Sequence, residues 1–472
     1  MSKVAALSLY AYLGALAVTQ TVYGSHFMSA RWFTLGILVI ASGFHWFSAK
    51  PSAHDPSDDK SNLLTLIYFA MTFLTIVGAE NPLFSGMKWI SHTLMLLIFL
   101  VFLRQSLKAS QVNPVLLFLK GTIVTLLIAS WMKPASLVSS LDVQLYRGAF
   151  GSPNSMGQVA AIGALLLIHG ALTGKIQWLR YLEASVAALA LWLTWSSGAR
   201  SAIIAFLTGI VLMNYFYRAR LSKKTIGITL LMAFLMVTMP DLPKSARLVL
   251  LRGERTSESF SEQIFKSRKD VWEASWEGFQ KRPFLGWGFG ADDTMSKEWN
   301  VQFTALGTVS RDNVNDTMIM LESTGIVGLM AYLLLILVAL KQIPTRNQRW
   351  ILYQPSFSIP SEIDLSLYHT HAITYILATS LIVTVQFDNT ALSAGNFISV
   401  VLWLCVAVSG AIKREARGYE QAWLQYYSLA DRYLRLSTAN LSQSYRIYSN
   451  QLPLRNYFWT ESTPGPRPSG RG

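Results

Sequence analysis

Cysteine is almost missing from this chain of 472 residues: the single one, Cys405, lies inside an apolar run. That excludes a disulfide framework and a cysteine-built zinc site. Charge is also scarce, at 14% of residues against 52% hydrophobic, a composition outside that of ordinary soluble domains. No internal repeat is evident, and the paired inverted halves common in secondary transporters do not show. Only Lys3 precedes the first apolar run, Val4 to Val22, and no small-residue cleavage site follows it, so the run reads as a retained span.

What the chain does contain is a series of apolar runs of membrane-spanning length. They fall at about 4–22, 32–48, 62–79, 87–103, 113–132, 155–173, 182–197, 201–217, 225–240, 315–340, 369–387 and 394–411. The expected fold is an all-α polytopic membrane protein with about 12 transmembrane helices. Its transmembrane domain covers 1–411, including one large loop at 241–314, and a tail covers 412–472. Several runs are only 16 or 17 residues long, which leaves one short pair open to a re-entrant path. Alternate loops are basic: Lys50 and Lys60, Arg104 and Lys108, Lys175 and Arg180, Arg218 to Lys224, Lys341 to Arg349, and Lys413 to Arg417. The loops between them carry little beyond Arg31, Lys88, Lys133, Arg147 and Arg200. By the positive-inside rule both termini are cytoplasmic and the 241–314 loop is on the other face. The same asymmetry accounts for the net charge of +14 without a nucleic-acid partner. The tail, with Trp423, Tyr426, Tyr427 and Tyr433 among basic residues, reads as an interfacial helix ending in a disordered Pro/Gly-rich stretch.

The large loop holds eleven basic and eleven acidic residues, and no histidine. A membrane protein that gathers its charges in one loop has a place for chemistry there. Phe265, Arg268, Trp272, Trp276 and Phe279 recur every three or four residues, which predicts an amphipathic helix with these side chains on its apolar side. Arg268 on that side points to an anion or to an internal acid. After Pro283, Gly286, Gly288 and Gly290 let backbone pass close to a substrate. Without a strand-turn-helix context these glycines are not a dinucleotide fingerprint. The loop ends in Arg311-Asp312-Asn313-Val314-Asn315-Asp316. Asp316 could take a proton from a sugar hydroxyl or simply cap the next helix. Glu322, deeper in that span, is a structural or proton-relay candidate.

Two shorter segments complete the set. In Tyr146-Arg147-Gly148-Ala149-Phe150-Gly151-Ser152-Pro153-Asn154-Ser155 a tight turn precedes a helix that Asn154 or Ser155 can cap, so that free N–H groups lie beside a cation. Arg147 is equally readable as an interfacial anchor. In Trp195-Ser196-Ser197-Gly198-Ala199-Arg200 a guanidinium is held near the hydrocarbon boundary, where it needs an anion or must snorkel to headgroups. A lipid-linked diphosphate suits the planar fork of arginine.

In this order the motifs resemble the O-antigen ligase and polymerase superfamily, closest in character to exopolysaccharide-production polymerases. The likeness rests on the Gly-Ser-Pro-Asn turn at 151–154, the Ser/Gly-Arg link ending at Arg200 and the Arg268-to-Trp272 helix. It continues through Pro283-Phe284-Leu285-Gly286-Trp287-Gly288-Phe289-Gly290, and then Asn315-Asp316 followed by Glu322-Ser323-Thr324-Gly325. It covers roughly 140 to 340. It implies a glycosyltransferase of the bacterial inner membrane that acts on the periplasmic side. The donor would be an undecaprenyl-diphosphate-linked glycan and the acceptor a glycan hydroxyl, with membrane lipids around it and a chain-length regulator as a further partner. No metal and no cofactor is required. Arg200 and Arg268 would meet the donor phosphates and act with Asn315 and Asp316 in catalysis. Arg147, Asn154, Trp272, Gly286, Gly288, Gly290 and Arg311 would line the substrate. Asn315 matches the asparagine of the family's His-Asn pair, but Val314 stands where the histidine would be. That departure turns the expectation toward polymerisation of oligosaccharide repeats, with ligase-type transfer to a distinct acceptor as the alternative. A transporter or flippase of a lipid-linked or anionic solute, and a scaffold in a polysaccharide machine, are the readings outside catalysis.

Overall fold

The computed structural model describes residues 1–48, 56–133, 137–140, 143–216, 272–291, 316–341, 361–385 and 396–414. The chain divides into two compact units, Met1–Ala416 and Arg417–Gly472, and the second lies outside the described residues. So do the run at 225–240 and most of the 241–314 loop.

Each apolar run that falls largely within the described residues is helical. In chain order the helices are α1 (Lys3–Thr19), α2 (Met28–Ser48), α3 (Pro56–Val77) and α4 (Pro82–Leu96). The last of these continues through a π-helical turn, Leu97–Leu103, to Ser106. Then come α5 (Ala109–Met132), α6 (Pro153–Thr173), α7 (Gln177–Ser196), α8 (Arg200–Phe216), α9 (272–281), α10 (Asp316–Lys341), α11 (Ser361–Val385) and α12 (Phe397–Arg414). Six described helices are long and apolar enough to cross a membrane: Lys60–Val77, Pro82–Ser106, Ser110–Met132, Pro153–Thr173, Asp316–Leu340 and Phe397–Arg414. A departure from the all-α expectation is a two-stranded antiparallel hairpin, β1 (Leu137–Ser140) with β2 (Val143–Tyr146), in the link from α5 to α6.

The outside of the bundle is what lipid requires. On α2, Phe33, Ile40, Phe44 and Phe47 are each more than 70% exposed and follow one another at spacings of seven, four and three, a continuous apolar stripe along one face. The interior is held by two enclosed helices. Every residue of α6 from Met156 to Leu167 is buried, and α12 is buried along almost all its length around Trp403.

The links sort to two ends. At one, Arg414 donates to the carbonyls of Arg104 (2.7 Å) and Leu107 (2.9 Å), and Gln111 Nε2 donates to Met1 O (2.9 Å). This end is rich in basic residues and is called the basic end below. At the opposite end the link after α1 meets the link before α6: Val22 N donates to Ala149 O and Gly151 N to Gln20 O, both at 2.9 Å. The helix termini are set by local chemistry. Asn81 caps α4 by accepting from Phe84 N (3.1 Å) with Pro82 in the first turn, and Ser152 caps α6 by accepting from Ser155 N (3.1 Å) ahead of Pro153.

One polar pair crosses the apolar interior. Lys120 on α5 donates to Glu183 on α7, and a side chain at Gly170 of α6 would strike Glu183 Oε2 at 2.0 Å and Lys120 Nζ at 2.6 Å. Glu183 lies at the start of its apolar run, whereas Lys120 is well inside the run at 113–132.

Candidate functional site

The opposite end carries two arginines around one helix start. Arg147 is in the turn that Phe150 N closes on Arg147 O (3.0 Å). Gly148 takes φ +57°, and a Cβ there would meet Ser130 Cβ at 2.5 Å, so the turn needs glycine. Tyr146 fixes the other side: its hydroxyl donates to the Ser130 and Lys133 carbonyls, and burial pushes that hydroxyl up from its ordinary pKa. Arg147 is half-buried, and its Nε has no hydrogen-bond partner among the described residues. Arg200 opens α8. The preceding turn, 197–199, is pressed on α6, where a Cβ at Gly157 would lie 2.3 Å from Ser197 Oγ and 2.6 Å from Ala199 Cβ. Arg147 and Arg200 therefore flank the N-terminus of α6, where positive dipole and guanidinium charge add. Asn154 is in the first turn of α6, half-buried. The expected cap at Asn154 or Ser155 is corrected by the structure: the preceding residue, Ser152, caps the helix.

A second cluster is built by the glycine-rich turn. Gly286, Gly288 and Gly290 all have positive φ, at 63°, 111° and 71°. The close approach they permit is to the chain itself. A Cβ on Gly286 would fall 2.4–2.5 Å from the backbone of Ser323 and Thr324, and one on Gly288 would fall 2.3 Å from Ala79 Cβ and 2.4 Å from Ser85 Oγ. Gly290 rides on the stem of Lys88 at 3.3 Å. Helix α10 breaks at Gly325 (φ 62°, ψ −162°), and the turn takes up the freed backbone: Ile326 N donates to Pro283 O (2.9 Å) and Gly288 N to Ser323 O (2.7 Å). Trp287 Nε1 donates to Gly278 O (3.1 Å). Arg282 stacks over Trp287 at 4.3 Å, with Glu80 at 3.8 Å. Met320 and Tyr332, on either side of the break, bury in one cluster with Phe289.

On α9 the face packed against the rest of the protein is made of small residues. Ser275 and Gly278 are buried, Trp272 and Phe279 are partly buried, and Trp276 is 48% exposed. The reason is close packing: a Cβ at Gly278 would be 2.7 Å from Glu322 Oε1, so only small residues fit on that face. Glu322 is fully buried, as is Asp316, the first residue of α10. Asp316 and Tyr332 both act electrostatically on Tyr68 of α3. Tyr68 in turn shares a 2.8 Å hydrogen bond with His92 Nε2 of α4, whose ring lies 5.4 Å from Phe289. His92 is buried among these groups, a position that sequence spacing could not indicate, since its neighbours come from three distant segments. Arg268, Arg311 and Asn315, and Val314 beside it, lie outside the described residues. Among the described residues no three His, Cys, Asp or Glu side chains gather as metal ligands.

Residues 185–333 match the family described as O-Antigen ligase. The chain carries an O-antigen ligase family domain. It begins within α7 and ends within α10, past the Gly325 break, so it takes in Arg200, α9, the glycine-rich turn and Asp316, whereas Arg147 and Asn154 precede it. No curated protein matches the chain. The apolar helices make this a polytopic membrane protein, and about a third of the chain matches the O-Antigen ligase family.

Proposed function

We propose that the protein transfers a glycan from an undecaprenyl-diphosphate carrier to an acceptor hydroxyl at the periplasmic face of the bacterial inner membrane. The observation that carries the proposal is that the Arg147 turn leads into α6 and the 197–199 link before Arg200 packs on Gly157 of the same helix, at the end of the bundle away from the basic links. With the basic end cytoplasmic, the two arginines face outward at the hydrocarbon boundary, where a lipid-borne diphosphate presents itself. Arg268 is the third cation assigned to this donor.

In the reaction the acceptor oxygen bonds to the anomeric carbon while the bond from that carbon to the diphosphate oxygen breaks. The carrier diphosphate departs with the electron pair, and the hydroxyl proton passes to a base. Charge grows on the diphosphate as the bond lengthens, so fixed guanidinium groups stabilise the transition state more than the bound donor. Asp316 is the carboxylate proposed as base and Asn315 its neighbour at the acceptor.

The family description favours ligase-type transfer to a distinct acceptor. Polymerisation is the second reading, favoured by Val314 where the ligase pattern has histidine. Purified protein given a defined undecaprenyl-diphosphate oligosaccharide separates them: one addition to a distinct acceptor is ligation, and a ladder is polymerisation. Movement of the lipid-linked substrate across liposomes with no new glycosidic bond would overturn both.

A further inference from the structure

The α6–α7 link, at the basic end and a full helix length from the arginines just described, forms a cavity of about 210 Å³ lined by Ala171, Gln177, Arg180, Tyr181 and Ala184. Arg180 enters it held at one point: Nε donates to Ala171 O at 2.7 Å. Its two terminal nitrogens make no hydrogen bond to the described protein, so the outer fork of the guanidinium is left for a ligand. Small side chains at 171 and 184 make the room. Gly174 lets the chain turn this tightly, since a Cβ there would lie 2.8 Å from Gly170 O and 3.1 Å from Arg180 Cγ.

The charge balance is one-sided. Between 171 and 184 the cations are Lys175 and Arg180 and the one acid is Glu183. Glu183 is already held by Lys120, one turn deeper, so it does not neutralise Arg180. Around the cavity the surface is apolar and aromatic: Trp178 and Tyr181 are each 66% exposed, Ile176 52% and Leu182 50%. Indole and phenol rings at a helix end, beside arginine, are what the headgroup level of a bilayer selects.

We infer that this cavity binds the headgroup phosphate of an anionic phospholipid in the leaflet at the basic end, with Arg180 as its ligand and Trp178, Tyr181 and Leu182 against the acyl chains. The guanidinium fork matches two phosphate oxygens. A zwitterionic lipid brings a second, cationic group to a site that already holds the Arg180 cation, and is disfavoured. This site is separate from the donor site and its test does not depend on glycan transfer.

The test uses full-length protein in detergent, titrated with brominated phosphatidylglycerol or brominated phosphatidylcholine. The signal is the fluorescence quenching that disappears in Trp178→Phe, which restricts the readout to this site. Phosphatidylglycerol should quench at concentrations where phosphatidylcholine does not. Arg180→Gln should weaken it about tenfold or more, and Ala184→Phe, which fills the exposed cavity without changing charge, should do the same. Inorganic phosphate should compete only at far higher concentration. Equal quenching by the two lipids, unchanged quenching in both variants, or phosphate competing as well as the lipid would each overturn the inference.

Discussion

The turns at 147–152 and 283–290 occupy the same end of the bundle, both depend on glycines at positive φ, and each contains or adjoins an arginine, yet the two arginines are used differently. Arg282 is stacked on Trp287 and faces Glu80, and the glycines around it bring backbone against α3, α4 and the break in α10. Arg147 has an Nε with no hydrogen-bond partner among the described residues, and it stands beside the start of α6 that Ser152 caps. A glycine-rich motif is therefore ambiguous until its close neighbour is known. In both turns glycine presses on protein, Gly148 on Ser130 as Gly286 on Ser323; the turn that holds Arg282 in its stack and ion pair is a clamp, and the turn that starts at Arg147 is a rim.

Substitutions can break this contrast. The largest effect is expected at Arg200→Ala, which should cut glycan transfer about 100- to 1,000-fold while the protein remains inserted and as heat-resistant as the parent. Arg200→Lys should recover only part, because a point charge does not reproduce the fork. Undiminished transfer by Arg200→Ala would remove the rim from the reaction. Gly286→Ala comes next and should behave in the reverse way. Forcing a side chain onto φ +63° costs on the order of 1–3 kcal/mol, and the Ser323 backbone has no room to move aside. Lower melting temperature and lower abundance are expected, with activity per folded molecule little changed. Arg147→Ala should lose about tenfold in transfer, near 1.4 kcal/mol, read as kcat against KM with a defined donor. Arg282→Ala is the smallest, below about 1 kcal/mol of stability at this partly exposed stack and ion pair. If Arg282→Ala matched Arg200→Ala in loss of transfer, the division into clamp and rim would fail.

The sequence makes some of this plain and hides the rest for physical reasons. A bilayer demands about twenty apolar residues per crossing, so the helices are written locally, and proline followed by a polar turn marks their starts at 82 and 153. The family match at 185–333 lies inside the stretch whose motifs carry the resemblance. What depends on a distant partner is not written locally. Periodicity in α9 marks its tryptophan side, but not the face of Ser275 and Gly278 on which Glu322 packs. Lys120 and Glu183 are 63 residues apart, and nothing local pairs them until the helices pack with Gly170 of α6 against both. His92 and Tyr68 belong to one buried polar group only because α3 and α4 are antiparallel neighbours.

Helix α6 is walled in from Met156 to Leu167, so the tip that follows the Arg147 turn is not free to tilt toward a visitor. Selectivity at such a tip is that of a preset mould. A carrier with a shorter or longer phosphate bridge would meet a misfit that no rocking of the bundle relieves, and an inhibitor would succeed by copying the mould's spacing instead of adding flexible reach.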